Sequence, residues 1–383
     1  MGSGITSGEC SEQDTLNVSE KSVLGWLYTP TDTSIITIII PMIWCLGIIT
    51  NLIFLFVLCR VPKLRSETNT YLAHLAIADL LYLSLGSALN IWSYTASRVA
   101  FHVPFVNSAQ CICFFTIVNT GYFASITLVT MVSFERYLAL CHPVKHLKVR
   151  GRRRTYKMVA VCWLVGLIFS VATVPGSVVL RVLCLQWPDV EEFWDYPTSI
   201  TFCGPVTPQV DFFVPPLLNV PWLIAMVANI YMYVRILEVL SKRSSKNSGI
   251  NKHHKAVQIR NQVARMLIVN GVVFFLCQTP YRIFSLAGWI CWLAQIPNPL
   301  AVALGNNQIW LSLIPQYVNG MINPLIYGAM NSIYRSSFRE AFHCNGRVRQ
   351  RDTSAFAIST ADQSKSNATV ETLAINDITE TKL

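Results

Sequence analysis

Apolar residues fall along this chain in seven long runs, at 35–59, 71–94, 111–140, 158–183, 212–240, 266–290 and 308–330, separated by shorter polar segments. Each run is about as long as an apolar helix must be to cross the hydrocarbon core of a bilayer. The runs are continuous rather than alternating, and backbone groups left unpaired in lipid are costly. Each therefore predicts a helix and not a barrel strand. The expected fold class is an all-α membrane protein, a seven-transmembrane helix bundle. Beyond the last run, Ile333, Phe338, Ala341 and Phe342 recur at helical spacing with Arg335 and Arg339 among them, which predicts a short amphipathic eighth helix on the membrane surface. After Cys344 the hydrophobicity is lost. Ser354, Ser359, Thr360, Ser364, Ser366, Thr369 and Thr372 fill a stretch that cannot bury a core and should be disordered. The chain thus divides into an N-terminal tail (1–33), the bundle (34–330), the surface helix (331–344) and a polar tail (345–383).

Composition agrees: 52% of the 383 residues are hydrophobic and 13% charged, where soluble proteins carry about a quarter. The net charge of +10 reads as topology rather than as a footprint for nucleic acid. Arg60, Lys63 and Arg65 follow the first run; Lys145, Lys148, Arg150, Arg152, Arg153, Arg154 and Lys157 follow the third; Lys242, Arg243, Lys246, Lys252 and Lys255 follow the fifth. These loops share one side of a seven-span chain, and basic loops stay inside, so the N-terminus is expected outside and the C-terminus inside. Glu9, Glu12, Asp14, Glu20 and Asp32 precede the first run. No charged leader with a short apolar core and a small-residue cleavage site is expected ahead of it. Asn17-Val18-Ser19 is a glycosylation sequon on the outer side; Asn367-Ala368-Thr369 falls inside. Cys344, at the lipid boundary, is a candidate for palmitoylation.

Ionisable groups at membrane depth are expensive and therefore informative. Asp79 lies deep in the second run, and Asn51, Ser125, Asn319 and Asn323 sit at depths that surround it. The set is expected to form a polar network fit for water or a sodium ion; no other cofactor and no other metal is implied. Glu135-Arg136-Tyr137 closes the third run with an acid and a base that can neutralise each other while the bundle is closed. Pro280 and Pro324 each remove a helix hydrogen bond and supply hinges. A transporter or channel would need several intramembrane charges along a path, and Asp79 is nearly isolated. An enzyme would need a constellation such as HExxH or GxSxG, which does not occur. His74 and the pair His253-His254, the latter in a basic loop, do not supply one.

These residues carry a resemblance. Asn51, the Leu-Ala-x-x-Asp that ends at Asp79, Cys111, Glu135-Arg136-Tyr137, Trp163, Phe274-x-x-Cys277-x-x-Pro280 and Asn323-Pro324-x-x-Tyr327 stand in order and in the proper runs, so residues 34–344 resemble rhodopsin-like (class A) G-protein-coupled receptors. The resemblance implies a multi-pass plasma-membrane receptor with no enzymatic activity. It also implies a disulfide from Cys111 to the second outer loop, which offers Cys184 and Cys203, with Cys203 expected. Val118 and Tyr317 stand where amine receptors carry an aspartate and opsins a lysine. Lys63-Leu64-Arg65, Asn69, Tyr71-Leu72 and Cys277-x-x-Pro280-Tyr281-Arg282 are similar to thyrotropin-releasing hormone receptors and related neuropeptide receptors.

By that resemblance an extracellular peptide would bind among Asn119, Tyr122, Tyr281, Arg282 and Trp310, with Arg282 reaching a carbonyl or carboxylate of the ligand or pairing with Asp211. An outward swing of span six would then admit a heterotrimeric G protein, of the Gq class acting through phospholipase C, with Glu135, Arg136, Tyr137, Phe274, Pro280, Pro324 and Tyr327 as the switch. A class A receptor for a non-peptide ligand is the alternative. Arrestin on a phosphorylated tail and a PDZ domain on Thr381-Lys382-Leu383 are further expected partners. Three positions depart from the pattern: Gln278 replaces a tryptophan, Asn229, eight residues beyond Pro221, replaces a tyrosine, and Arg260 replaces an acid that would pair with Arg136.

Overall fold

The computed structural model of the chain describes residues 14–20, 22–246 and 253–343. Seven long helices follow the apolar runs: α1 Pro30–Arg60, α2 Glu67–Ala96, α3 Ser108–Cys141, α4 Arg152–Thr173, α5 Val214–Lys246, α6 His253–Leu293 and α7 Asn307–Met330. Then comes α8, Ser332–Phe342. By length and composition α1 to α6 can each cross a membrane. In α7 the apolar character is diluted by Gln316, Asn319 and Asn323, all of which are buried.

The bundle is inside-out relative to a soluble core. Asn51, Asp79, Ser125, Asn229, Asn270, Asn319 and Asn323 are buried, while Met42, Leu46, Ile49, Ile168, Ile224 and Val227 are exposed. An apolar face of that extent needs lipid against it. Helix starts are written in the sequence. The Ser66 side chain accepts from the Asn69 amide at 3.3 Å and Asn107 from the Gln110 amide at 3.1 Å, each occupying one of a helix's orphan donors. Thr29 and Asp32 cap α1 reciprocally, at 3.1 and 2.8 Å.

Among these helices α3 packs against α2, α4 and α5, and α7 against α1 and α6. Small residues set the closest approaches. A Cβ at Gly166 of α4 would stand 2.9 Å from the Thr120 carbonyl oxygen and 3.0 Å from the Ala124 amide nitrogen of α3, so only glycine lets those backbones meet.

Two expectations change. Span four does not run to 183: α4 ends at Thr173, a 3₁₀ turn spans Val174–Ser177, and the chain turns into β2, Val179–Gln186. Pro175 and Gly176 stop the helix, and the β-branched Val178, Val179 and Val182 favour the strand that follows. β2 pairs antiparallel with β3, Ser199–Gly204, and parallel with β1, Thr15–Asn17. The N-terminal segment is therefore built into a cap, where Val18 and Val23 are buried with Val99, Leu185 and Ile200. Nor do His253 and His254 sit in a loop. They open α6, which extends well past its apolar run.

Candidate functional site

The half of the bundle that carries the Cys111–Cys203 bridge holds the expected arginine. Arg282 of α6 is 2% exposed, and its guanidinium carbon lies 4.6 Å from the Tyr122 ring centroid and 4.7 Å from that of Tyr281. Nη1 donates to the Leu218 carbonyl of α5 at 2.9 Å. Nε is buried with no partner among the described residues. A guanidinium held between two rings, with an N–H unmatched, is a preorganised donor for a planar oxygen pair or a carbonyl. Below it, the Tyr82 hydroxyl donates to Gln316 Oε1 at 2.6 Å, and Gln278 keeps a buried, unpartnered Oε1.

One level deeper, Asn323 Nδ2 donates to Asp79 Oδ2 at 2.6 Å, and Ser125 is buried nearby on α3. Asn51 Nδ2 ties α1 to α7 through the Gly320 carbonyl at 2.8 Å. Asn51, Asn319 and Asn323 each leave a buried Oδ1 without a partner among the described residues. A carboxylate among orphaned amide oxygens is a hard-donor set that fits a sodium ion or ordered water.

At the opposite end, Glu135 is buried and meets Arg154 Nη2 of α4 at 2.8 Å and His146 Nε2 at 3.8 Å. Arg136 donates to the Thr68 hydroxyl of α2. The acid and base of the triplet thus each reach toward another helix instead of pairing with each other, and Arg136 Nε stays buried with no partner among the described residues. Tyr327 packs its ring 5.1 Å from Phe54 and 5.8 Å from Tyr334, measured between centroids, and its hydroxyl is buried without a hydrogen-bond partner among the described residues. Phe274 is fully buried on α6, between this end and Pro280, which interrupts the α6 hydrogen-bond ladder as Pro324 does in α7. Tyr137 faces His142, hydroxyl to Nε2 3.0 Å.

The family model described as 7 transmembrane receptor (rhodopsin family) matches residues 50–327. The chain belongs to this family. It is 29% identical to the somatostatin receptor type 2 of Sus scrofa over 90% of this chain and 86% of that one. It is 28% identical to the neuromedin-U receptor 2 of Mus musculus, covering 84% and 79%, and 27% identical to the thyrotropin-releasing hormone receptor of Mus musculus, covering 83% and 81%. A member of the rhodopsin family is a multi-pass membrane receptor and not an enzyme.

Of the five expected ligand residues, the receptor brings Tyr122, Tyr281 and Arg282 together. Asn119 turns to α4, where Nδ2 donates to the Thr173 hydroxyl at 3.3 Å. Trp310 turns to α1 and donates Nε1–H to Asp32 Oδ1 at 2.5 Å. Cys111 is bonded to Cys203, with Cα atoms 5.9 Å apart, and Cys184 is disulfide-bonded as well. Asn17 is exposed at the end of β1. Cys344, the polar tail and the side chains of Asp211 and Arg260 lie outside the described residues.

Sequence reasoning missed Tyr233. Asn229 stands where a tyrosine was expected and instead donates to the Thr130 hydroxyl of α3 at 2.9 Å. One helical turn on, the Tyr233 hydroxyl reaches Ser133 of α3 at 2.9 Å. It does so through a gap at Gly271 of α6, where a Cβ would stand 1.7 Å from that hydroxyl. The signal was Gly271 itself: a glycine inside an apolar helical run often marks a close approach.

Proposed function

We propose that the receptor binds an extracellular peptide around Arg282 and answers by activating a heterotrimeric G protein of the Gq class, and through it phospholipase C. The observation that carries this reading is the Arg282 guanidinium, buried between Tyr122 and Tyr281 with an N–H to spare. A peptide end supplies the carbonyl or carboxylate that such a donor needs, and leaving it unmatched is costly. The names of the three relatives, all of peptide hormones, support the same choice over a non-peptide ligand. The N-terminus faces outside and the C-terminus the cytoplasm, as the basic loops require. Arrestin and a PDZ domain are proposed partners of the tail.

The coupling follows from differential affinity. A peptide that binds an open bundle more tightly than a closed one shifts a pre-existing equilibrium. In the proposed open shape α6 swings outward about Pro280, and Arg136, Tyr233 and Tyr327 face the crevice that takes the end of a Gα subunit. The test is a peptide-library screen in cells expressing the receptor, reading calcium and cyclic AMP together, followed by GDP release from purified Gα. An agonist that never speeds GDP release would sink the coupling; a calcium response absent beside a clear cyclic AMP response would move the receptor to another G-protein class.

Two further outcomes bear on this mechanism. Glu135→Gln keeps the shape but removes the charge that holds Arg154 and His146. Losing roughly 1–2 kcal/mol from the closed shape is expected to raise agonist-free GDP release about fivefold or more. Unchanged basal release would show that this ion pair does not bias the switch. Asp79 with Asn51, Ser125, Asn319 and Asn323 would hold a sodium ion that favours the closed bundle. Replacing potassium with sodium should therefore raise the melting temperature of the wild type and leave Asp79→Asn unmoved. An equal shift in both would remove the ion from this site.

A further inference from the structure

A cavity of about 200 Å³ lies where the N-terminal segment meets the outer ends of α1, α2 and α7 and the loop after α2. None of the residues around Arg282 lines it. Three rings do: Tyr28, Phe101 and Trp310, with Asn90, Ser93 and His102 as polar lining.

The hydrogen bonds of these groups determine what they can still offer. Asn90 Nδ2 donates to the Gly86 carbonyl and to the Tyr317 hydroxyl, both at 2.8 Å, so Oδ1 is its remaining acceptor. His102 Nδ1 accepts from the Thr201 amide at 3.2 Å, which leaves the ring proton on Nε2 as a donor. Burial lowers the His102 pKa, so the ring is neutral at pH 7, and burial with the nearby Asp32 pushes the Tyr28 hydroxyl up to about 12. Ser93 has no side-chain partner among the described residues. Asp32, the one formally charged side chain in the wall, is 5% exposed. Its Oδ1 is taken by Trp310 and its Oδ2 by the Thr29 amide and hydroxyl, at 2.8 and 2.7 Å. Apart from the hydrogen-bonded Asp32 carboxylate, whose oxygens are turned to Trp310 and Thr29, the cavity presents neutral donors and acceptors between aromatic walls.

Phe101 adds an independent sign. Its φ is 68°, a left-handed conformation that costs a bulky L-residue free energy and that concentrates at functional sites. Its ring is held in the wall by an edge contact with Trp26, 6.1 Å between centroids.

We infer that this cavity is a second ligand subsite, built for one uncharged aromatic residue that carries a carboxamide, such as the amidated end of a peptide. An amide carbonyl matches His102 Nε2–H, and its NH₂ matches Asn90 Oδ1 and the Ser93 hydroxyl. The volume suits a single residue, since pockets that enclose a drug-sized ligand run to about 300–1,000 Å³. A continuous set of contacts runs inward from the subsite: Asn90 to the Tyr317 hydroxyl, the Tyr317–Tyr82 ring contact at 6.0 Å and the Tyr82–Gln316 bond. This deepens the peptide reading by giving the ligand a second foothold, but its test uses no G protein and so fails or succeeds separately.

The probe is N-acetyl-phenylalaninamide, compared with its cationic analogue phenylalaninamide and its anionic analogue N-acetyl-phenylalanine. Binding to the purified full-length receptor in lipid nanodiscs is measured by ligand-observed saturation-transfer NMR. The neutral amide is expected to bind roughly tenfold more tightly than either charged analogue. Ser93→Trp, which fills the cavity, should abolish that binding. Phe101→Gly, which relieves the left-handed strain and removes one wall, should weaken it about fivefold and keeps the test alive if Ser93→Trp does not fold. Equal binding of the three probes, tighter binding of the cation through Asp32, or neutral-amide binding untouched by Phe101→Gly would each overturn the assignment.

Discussion

Arg282→Ala is expected to reduce the potency of whatever peptide agonist the screen yields by about 30- to 100-fold, the size of one charge-assisted hydrogen bond lost to a desolvated donor, roughly 2–3 kcal/mol. Arg282→Lys should recover only part of it. An ammonium keeps the charge but neither lies flat between Tyr122 and Tyr281 nor donates in two parallel directions. Both variants need cell-surface ELISA alongside the calcium dose–response curve, because Arg282 also donates to the Leu218 carbonyl and joins α6 to α5. Full potency in Arg282→Ala at wild-type surface density would take this residue out of the ligand site.

Cys111→Ser is expected to do more damage to folding than any other single change discussed. Its bond to Cys203 spans 92 residues of sequence, and opening a loop of that size costs roughly 4–5 kcal/mol in the chain-entropy description, of the order of a domain's whole stability. It also frees β3 from the outer end of α3. Surface expression should fall to a small fraction of wild type, with the remaining protein retained inside the cell, as immunoblots for glycan maturation would report. Cys113→Ser, two residues deeper on α3 and a free, exposed thiol, is the matched control and should express normally. If both variants reach the surface equally, the Cys111–Cys203 bridge does not hold the outer cap.

Much of this receptor is readable from residue order because lipid leaves few choices. A run of some twenty apolar residues has to become a helix, so seven runs produced seven helices, and the basic loops fixed which ends belong together. The costly Asp79 announced a polar core, and Asn323 meets it where helical depth said it would. Cys203 over Cys184 was correct on family grounds alone, since either cysteine is near enough in sequence. The boundary of span four was missed: Val178, Val179, Leu180, Val182 and Leu183 keep 158–183 apolar on average despite Arg181, and mean hydropathy does not distinguish the last turn of a helix from the first residues of a strand. Pro175 and Gly176 were the available warning.

What failed elsewhere is the direction of individual side chains. Asn119 and Trp310 were expected beside Arg282, yet turn toward Thr173 and Asp32. Glu135 is adjacent to Arg136 in sequence but pairs with Arg154, whose helix is brought within reach by Gly166. Tyr233 replaces the tyrosine missing at Asn229 because Gly271, on another helix, leaves it room. The order of residues by itself determined how many helices form and which polar groups are buried, since those follow from the local cost of exposing backbone or charge to lipid. Helix rotation, strand pairing between Thr15 and Cys184, and hence the surroundings of Arg282 and the shape of the cavity beside Tyr28, were decided only in the tertiary structure, because each depends on contacts between residues far apart in the chain.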